Sequence, residues 1–67
     1  MVIVVKVLEW NKLVEIPEKE IKVRDLLKAL GLMESEHLVL KNGVVVPEDD
    51  VLRDGDEVVI FTVKSGG

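Results

Sequence analysis

The sequence contains no cysteine, which excludes disulfide bonds, thiolate metal sites, iron–sulfur clusters and cysteine nucleophiles together. It has a single histidine, His37, with no second histidine or cysteine to share a metal ion. We therefore expect no metal site and no catalytic residue, and we interpret His37 as a solvent-exposed loop histidine. Without covalent or metal cross-links, the fold must rest on side-chain packing.

Long apolar runs and an excess of positive charge are missing as well. No run approaches the roughly 20 residues of a transmembrane helix, and the segment after Met1 lacks the basic region and cleavage site of a signal peptide. We therefore expect a cytoplasmic protein without a membrane partner. A net charge of −4 argues against direct nucleic-acid binding and favours partners with basic surfaces. The acidic stretch 48–50 lacks the spacing of a calcium loop and is interpreted as part of such a contact.

What the chain does contain is enough apolar material for one small domain. Its 67 residues are 48% hydrophobic, far too much for a disordered segment. A chain of this length buries only about 60% of its unfolded surface, so a cofactor-binding enzyme has no room here. We predict a folded domain over residues 1–64, followed by a flexible Ser-Gly-Gly tail over residues 65–67.

The first half of the chain predicts a hairpin and a helix. Residues 2–8 and 13–16 are rich in β-branched side chains and read as paired strands. Lys6 must face solvent, so the residues that alternate with it face the core. These core residues are Ile3, Val5 and Val7. The helical spacing i, i+3, i+4, i+7 then appears at Val23, Leu26, Leu27 and Leu30. Gly31 fits the C′ position, but Lys22 is a poor N-cap, so this helix must depend on packing.

The second half predicts three more strands. Asn42-Gly43 is the typical type I′ turn between strands at 38–41 and 44–46. The Asp54-Gly55-Asp56 turn then leads into a last strand over 57–63. One helix covering one face of such strands predicts an α+β fold, the ubiquitin-like β-grasp, with a mixed sheet of four to five strands packed on one helix. The first and last strands should lie parallel at the centre of the sheet.

The chain ends in two consecutive glycines, Gly66 and Gly67. With glycine at about 7% of residues, two glycines at given positions have a chance of about 1 in 200. Residues without Cβ let the backbone pass through a narrow passage in another protein. Four extended residues from Lys64 span on the order of 13 Å, enough to present the terminal carboxylate to a buried site.

These features make the whole chain resemble the ThiS/MoaD family of sulfur carriers, which includes small archaeal ubiquitin-like modifier proteins. The motifs concerned are Val46-Pro47-Glu48-Asp49, Asp54-Gly55-Asp56-Glu57-Val58 and Gly66-Gly67. The resemblance implies a protein without catalytic activity of its own, whose reactive C-terminus is Gly66-Gly67. A ubiquitin-activating-type enzyme would adenylate Gly67, with ATP and Mg²⁺ acting through that partner and no cofactor bound stably by the chain itself.

The same resemblance implies a sulfur donor that converts the adenylate to a thiocarboxylate, and a downstream synthase or thiolation enzyme that receives the sulfur. The receiving pathway is thiamine, molybdopterin or tRNA thiolation. Two alternatives stay open. In the first, the chain is a ubiquitin-like modifier that forms isopeptide bonds through Gly67. In the second, it is a non-catalytic β-grasp interaction module.

We expect the activating partner to dock on the sheet face that points away from the helix. Strand alternation places Val59, Phe61 and Val63 there, beside Val4 and with Leu40 as a neighbour, while Val58 and Ile60 face the core. A cluster of exposed apolar residues usually marks an interface. Homodimerisation, or a tolerated apolar face, is the alternative.

Overall fold

The protein folds as a mixed sheet packed against one α-helix, and this is the predicted ubiquitin-like β-grasp. A computed structural model describes residues 1–63, so the predicted tail lies outside the described residues. The strands are β1 (Ile3–Val7), β2 (Lys12–Ile16), β3 (Glu20–Lys22), β4 (His37–Lys41), β5 (Val44–Val46), β6 (Val51–Arg53) and β7 (Val58–Thr62), and the α-helix is α1 (Val23–Leu30). Short 3₁₀ turns follow β1 at Leu8–Trp10 and precede β4 at Glu34–Glu36.

The larger sheet has the strand order β2-β1-β7-β4-β5. Its two central strands, β1 and β7, run parallel, with Val5 opposite Val58 and Val7 opposite Ile60. The other neighbours in this sheet are antiparallel. The predicted central pairing of the first and last strands is confirmed, and the last described residue, Val63, therefore follows a strand that is paired on both sides.

Two strands were not predicted. β3 and β6 pair antiparallel in a small second sheet, with Ile21 opposite Leu52. The predicted mixed sheet of up to five strands is therefore confirmed, and β3 and β6 are two additional strands outside it, in segments to which no strand was assigned. Each of these strands is three residues long, and β3 carries only one apolar side chain, so neither shows the repeated alternation by which a strand is recognised.

The helix agrees with its sequence pattern at both ends. Gly31 adopts φ 73°, as the C′ position requires, and Lys22 makes no capping hydrogen bond with its side chain. Backbone carbonyls cap the first turn instead: Val23 N–H donates to Asp50 O at 2.9 Å, and Arg24 N–H donates to Glu48 O at 3.0 Å. The acidic stretch 48–50 thus holds the start of α1 against the sheet.

The core lies between α1 and the covered face of the sheet. Its residues are Ile3, Val5, Val7, Ile16, Val23, Leu26, Leu27, Val39, Leu52, Val58 and Ile60. The predicted core residues of the first and last strands are all present. His37 is also buried, so its interpretation as an exposed loop histidine is wrong. It is the first residue of β4, and it shares the core-facing side of that strand with Val39.

Candidate docking face and chain terminus

The helix covers one face of the five-stranded sheet and leaves the other open. On each strand, the residues that alternate with the core set point to this open face. We define the open face by Val4 and Lys6 of β1, Leu13 and Glu15 of β2, Val59 and Phe61 of β7, Leu38 and Leu40 of β4, and Val45 of β5. Most of these side chains are apolar, and they come from all five strands.

The strand register brings most of the predicted docking residues together at the centre of this face. Phe61 lies opposite Leu38, and Val59 lies opposite Leu40 on one side and Lys6 on the other. Phe61, Val59 and Leu40 are half-buried by these neighbours, which hold them in place without covering them.

The remaining predicted docking residues, Val4 and Val63, are each 41% exposed. Val4 belongs to β1 and lies beside β7 in the sheet. Val63 follows the end of β7, in continuation of the alternation through Phe61. The predicted residues therefore share one side of the sheet, and their role in docking stays a prediction.

Three exposed apolar residues widen the face beyond the prediction. Leu38 lies beside Phe61, while Leu13 and Val45 are 68% and 51% exposed on the two edge strands. Alternation with Leu40 was the signal that would have identified Leu38. Leu13 and Val45 required the strand order, because only the assembled sheet shows that its edges continue the central patch.

Charged side chains border the apolar patch where β7 begins. A shallow depression of about 410 Å³ is lined there by Val4, Leu13 and Val59 together with Lys6, Asp56 and Glu57. An apolar centre with a charged border is the usual composition of a protein–protein interface.

The Asp54-Gly55-Asp56 motif has a structural role at this end of the sheet. Gly55 has φ 95°, and the Asp56 carboxylate accepts hydrogen bonds from Arg53 N–H at 2.8 Å and from the Asn42 side-chain amide at 3.2 Å. The Arg53 backbone bond, followed by the Asn42 bond, lowers the pKa of Asp56 below its usual value. The motif thus ties the turn before β7 to the turn after β4.

At its other end, β7 leads towards the terminal glycines. Val63 is the last residue described, and its N–H donates to Glu36 O at 2.8 Å. Gly66 and Gly67 lie outside the described residues, so their reactivity stays a prediction. Within residues 1–63, no group of three or more histidine, aspartate or glutamate side chains is placed to hold a metal ion. In the same range, no helix is long and apolar enough to cross a membrane.

Comparison with known protein families gives a match to nearly the whole chain. The sequence model of the ThiS family matches residues 4–67. The matched range contains the entire open face, the Asp54-Gly55-Asp56 turn and both terminal glycines. The fold and the chain end are therefore matched together rather than through one short motif.

Proposed function

This chain belongs to the ThiS family of small ubiquitin-like carrier proteins, and we propose that it carries sulfur as a thiocarboxylate on Gly67. The observation that carries this proposal is the extent of the family match, which runs through Gly66-Gly67. Val63, four residues before Gly67, remains hydrogen-bonded to the folded domain. Partners can therefore bind the domain while the reactive end enters an active site.

The first step is activation of a carboxylate that is by itself a poor acyl donor. In the active site of an adenylating partner, a Gly67 carboxylate oxygen attacks the α-phosphate of Mg²⁺-bound ATP. Pyrophosphate leaves, and an acyl-adenylate with a good leaving group is formed. Gly66 and Gly67 suit this step because they have no side chain to obstruct a narrow passage to the nucleotide.

The second step transfers sulfur. A persulfide on a donor protein attacks the Gly67 carbonyl carbon and expels AMP, which leaves an acyl disulfide. A second thiol of the donor attacks the donor-side sulfur of this bond, so the donor ends as a disulfide and Gly67 as a thiocarboxylate. A downstream synthase or thiolation enzyme then receives the sulfur, in thiamine, molybdopterin or tRNA thiolation.

The open face is the proposed docking surface for the adenylating partner. It is apolar at its centre, its central side chains are half-buried, and charged residues border it. Docking there fixes the domain on the partner while residues 64–67 reach the nucleotide.

The experiment is an intact-mass measurement after incubation with the cognate activating enzyme, ATP, Mg²⁺ and a persulfide donor. We expect a mass increase that matches the replacement of one oxygen by one sulfur. Deletion of Gly67 should abolish the increase, and Ser65→Ala, a matched change in the same tail, should retain it. Circular dichroism should show all three proteins equally folded.

Two other outcomes would contradict the carrier function. Absence of both adenylate and thiocarboxylate would favour a non-catalytic interaction module. ATP-dependent conjugates to lysines of other proteins, lost on deletion of Gly67, would instead favour a ubiquitin-like modifier.

A further inference from the structure

Two short turns flank the end of β7. Because β1 and β7 are parallel, the 3₁₀ turn Leu8–Trp10 that follows β1 lies at the same end of the sheet as the end of β7. β4 is antiparallel to β7, so the 3₁₀ turn Glu34–Glu36 that precedes β4 lies there too. A contact between the two turns therefore has to cross the last strand.

His37 makes this contact. Its Nε2 lies 2.5 Å from Glu9 Oε1 in the first turn, and its Nδ1 lies 2.8 Å from Met33 O, immediately before the second turn. The His37 side chain is 5% exposed and that of Glu9 is 34% exposed. The imidazole is thus held inside the protein between two oxygen acceptors, one on each side of β7.

The same residues are connected to the backbone of β7. His37 lies directly opposite Thr62, and Val63 N–H donates to Glu36 O at 2.8 Å. Because Glu36 and Val63 form a hydrogen-bonded pair, His37 and Thr62 are the adjacent non-bonded pair, in which side chains approach most closely. Met33 O accepts hydrogen bonds from the His37 ring and from Glu36 N–H. The ring is therefore bonded to the same turn whose Glu36 carbonyl accepts from Val63 N–H.

We propose that His37 and Glu9 form a clasp across the end of β7, which holds Thr62 in the sheet and Val63 hydrogen-bonded to Glu36, and so fixes the point from which the C-terminal residues continue. Positive charge on His37 keeps the clasp closed. The clasp is a property of the folded domain; its consequence for activation rests on the proposed carrier function.

The two acceptors explain the need for charge. An imidazole can donate from both nitrogens only as imidazolium; the neutral ring turns a lone pair towards one of the two oxygens. Burial by itself lowers the pKa of His37, but the hydrogen bonds to Met33 O and Glu9, with the charges of Glu9 and Glu36, outweigh it and raise this pKa above its usual value.

The other charged side chains that line the cavity beside the ring are acidic, while the basic residues Arg24 and Lys28 lie near one of them, Glu34. Glu34 and Glu48 line the same small cavity of about 150 Å³ as His37, and the hydrogen bond that the Glu34 side chain donates to Glu48 raises the pKa of Glu34. Since the pKa of His37 is raised in the folded state, the clasp contributes its full stabilisation below the unfolded-state pKa of about 6.5. Its contribution is lost as pH rises through the folded-state pKa.

The test is NMR-detected hydrogen exchange across the range from about pH 5.5 to pH 8.5. In the unmodified protein, we expect the protection factor of Val63 N–H to fall about tenfold as His37 deprotonates, the size of a charge-assisted hydrogen bond that is partly solvent-exposed. Ile60 N–H, in the middle of β7, should keep its protection. Glu9→Gln should lower the pKa of His37 and remove most of the pH dependence at Val63.

Glu15→Gln is the matched control, because it removes the same charge from an exposed position on the open face. It should leave the protection of Val63 unchanged. The proposal is overturned when Val63 protection is independent of His37 ionisation. It is also overturned when Glu9→Gln lowers the exchange protection of Ile60 N–H as much as that of Val63 N–H. The His37–Glu9 pair is then a general core contact rather than a clasp.

A second measurement separates the clasp from the carrier proposal. In the adenylation assay, Glu9→Gln should raise KM for this protein by about three- to tenfold with kcat unchanged, because Thr62 and Val63, once less firmly held, lose more conformational freedom on binding. An unchanged KM alongside altered exchange at Val63 would overturn the proposed consequence for activation. Failure of adenylation in every variant would count against the carrier function while leaving the exchange result in force.

Discussion

At the scale of single residues, the two sides of β7 carry different chemistry. Ile60 is buried in the core, while the next residue, Phe61, is half-buried on the open face and lies opposite Leu38. The two-residue period of a strand produces this division, so one substitution at Phe61 changes the open face without entering the core. Phe61 is therefore the position at which docking is most cleanly tested.

We expect Phe61→Asp to reduce kcat/KM for adenylation by at least about 30-fold, the usual effect of losing a central interface residue. The reason is that a carboxylate would be desolvated against the partner without a counter-charge. Steady-state kinetics with the activating enzyme measure the loss. Val44→Asp is the matched control, because Val44 is 64% exposed on the edge strand β5 and alternates with Val45 of the open face. Normal adenylation of a folded Phe61→Asp protein would refute docking on this face.

At the scale of elements, two turns distant in sequence act as one unit. Asn42 adopts φ 51° in the turn after β4, and its side chain accepts from Glu57 N–H at 2.9 Å while donating to Asp56. Asp56 in turn accepts from Arg53 N–H. The start of β7 is thereby fixed to the β4–β5 hairpin by hydrogen bonds that the strands alone do not supply.

We expect Asp56→Asn to lower the free energy of unfolding by about 1 kcal/mol at about pH 7, because an amide cannot accept at both oxygen positions. The pKa of Asp56 is lowered in the folded state. Its contribution is therefore present above the unfolded value of about 3.9 and is lost as pH falls through the folded-state pKa. Urea unfolding should show the difference between variant and unmodified protein shrinking at about pH 3.

Asp54→Asn serves as the control for this prediction, because it removes the same charge from an exposed residue two positions earlier in the turn. It should change stability little at either pH. Equal effects of the two substitutions would assign the loss to net charge rather than to the hydrogen bonds of Asp56.

At the scale of the whole molecule, negative charge is the dominant electrostatic property. The chain carries 13 acidic and 9 basic residues, for a net charge of −4. Part of this charge is used internally, since Arg24 pairs with Asp49 and Lys41 pairs with Asp50 at 3.1 Å. The predicted preference of the acidic stretch 48–50 for a basic partner therefore applies only to the charge left after these pairs.

We expect association with the activating enzyme to slow as salt increases, because long-range attraction to a basic partner is screened within about 10 Å at 0.1 M salt. Stopped-flow measurements from about 50 mM to 500 mM NaCl should show the association rate constant falling about tenfold. Dissociation should change less, since the apolar open face is unaffected by screening. A salt-independent association rate would show that docking has no electrostatic steering.

The sequence by itself determined the elements whose signals are local. The alternation in β1, the helical spacing from Val23 to Leu30 and the Asn42-Gly43 turn each lie within a few residues of chain, and each is confirmed. The central place of β1 and β7 also followed, because the predicted β-grasp arrangement places the first and last strands side by side and parallel at the centre of the sheet. Docking by Phe61 and its neighbours, and the reactivity of Gly66-Gly67, remain predictions.

Only the tertiary structure decided the features that depend on distant partners. β3 and β6 are too short to be recognised alone and are strands because Ile21 and Leu52 meet across the chain. His37 can be buried because Glu9, 28 residues earlier, is a partner for its Nε2, while Met33 O is the partner of its Nδ1. Burying a polar group is costly unless it has a hydrogen-bond partner. When that partner is distant in sequence, no local residue pattern predicts it. The same assembly extended the open face from the central strands to the edges of the sheet.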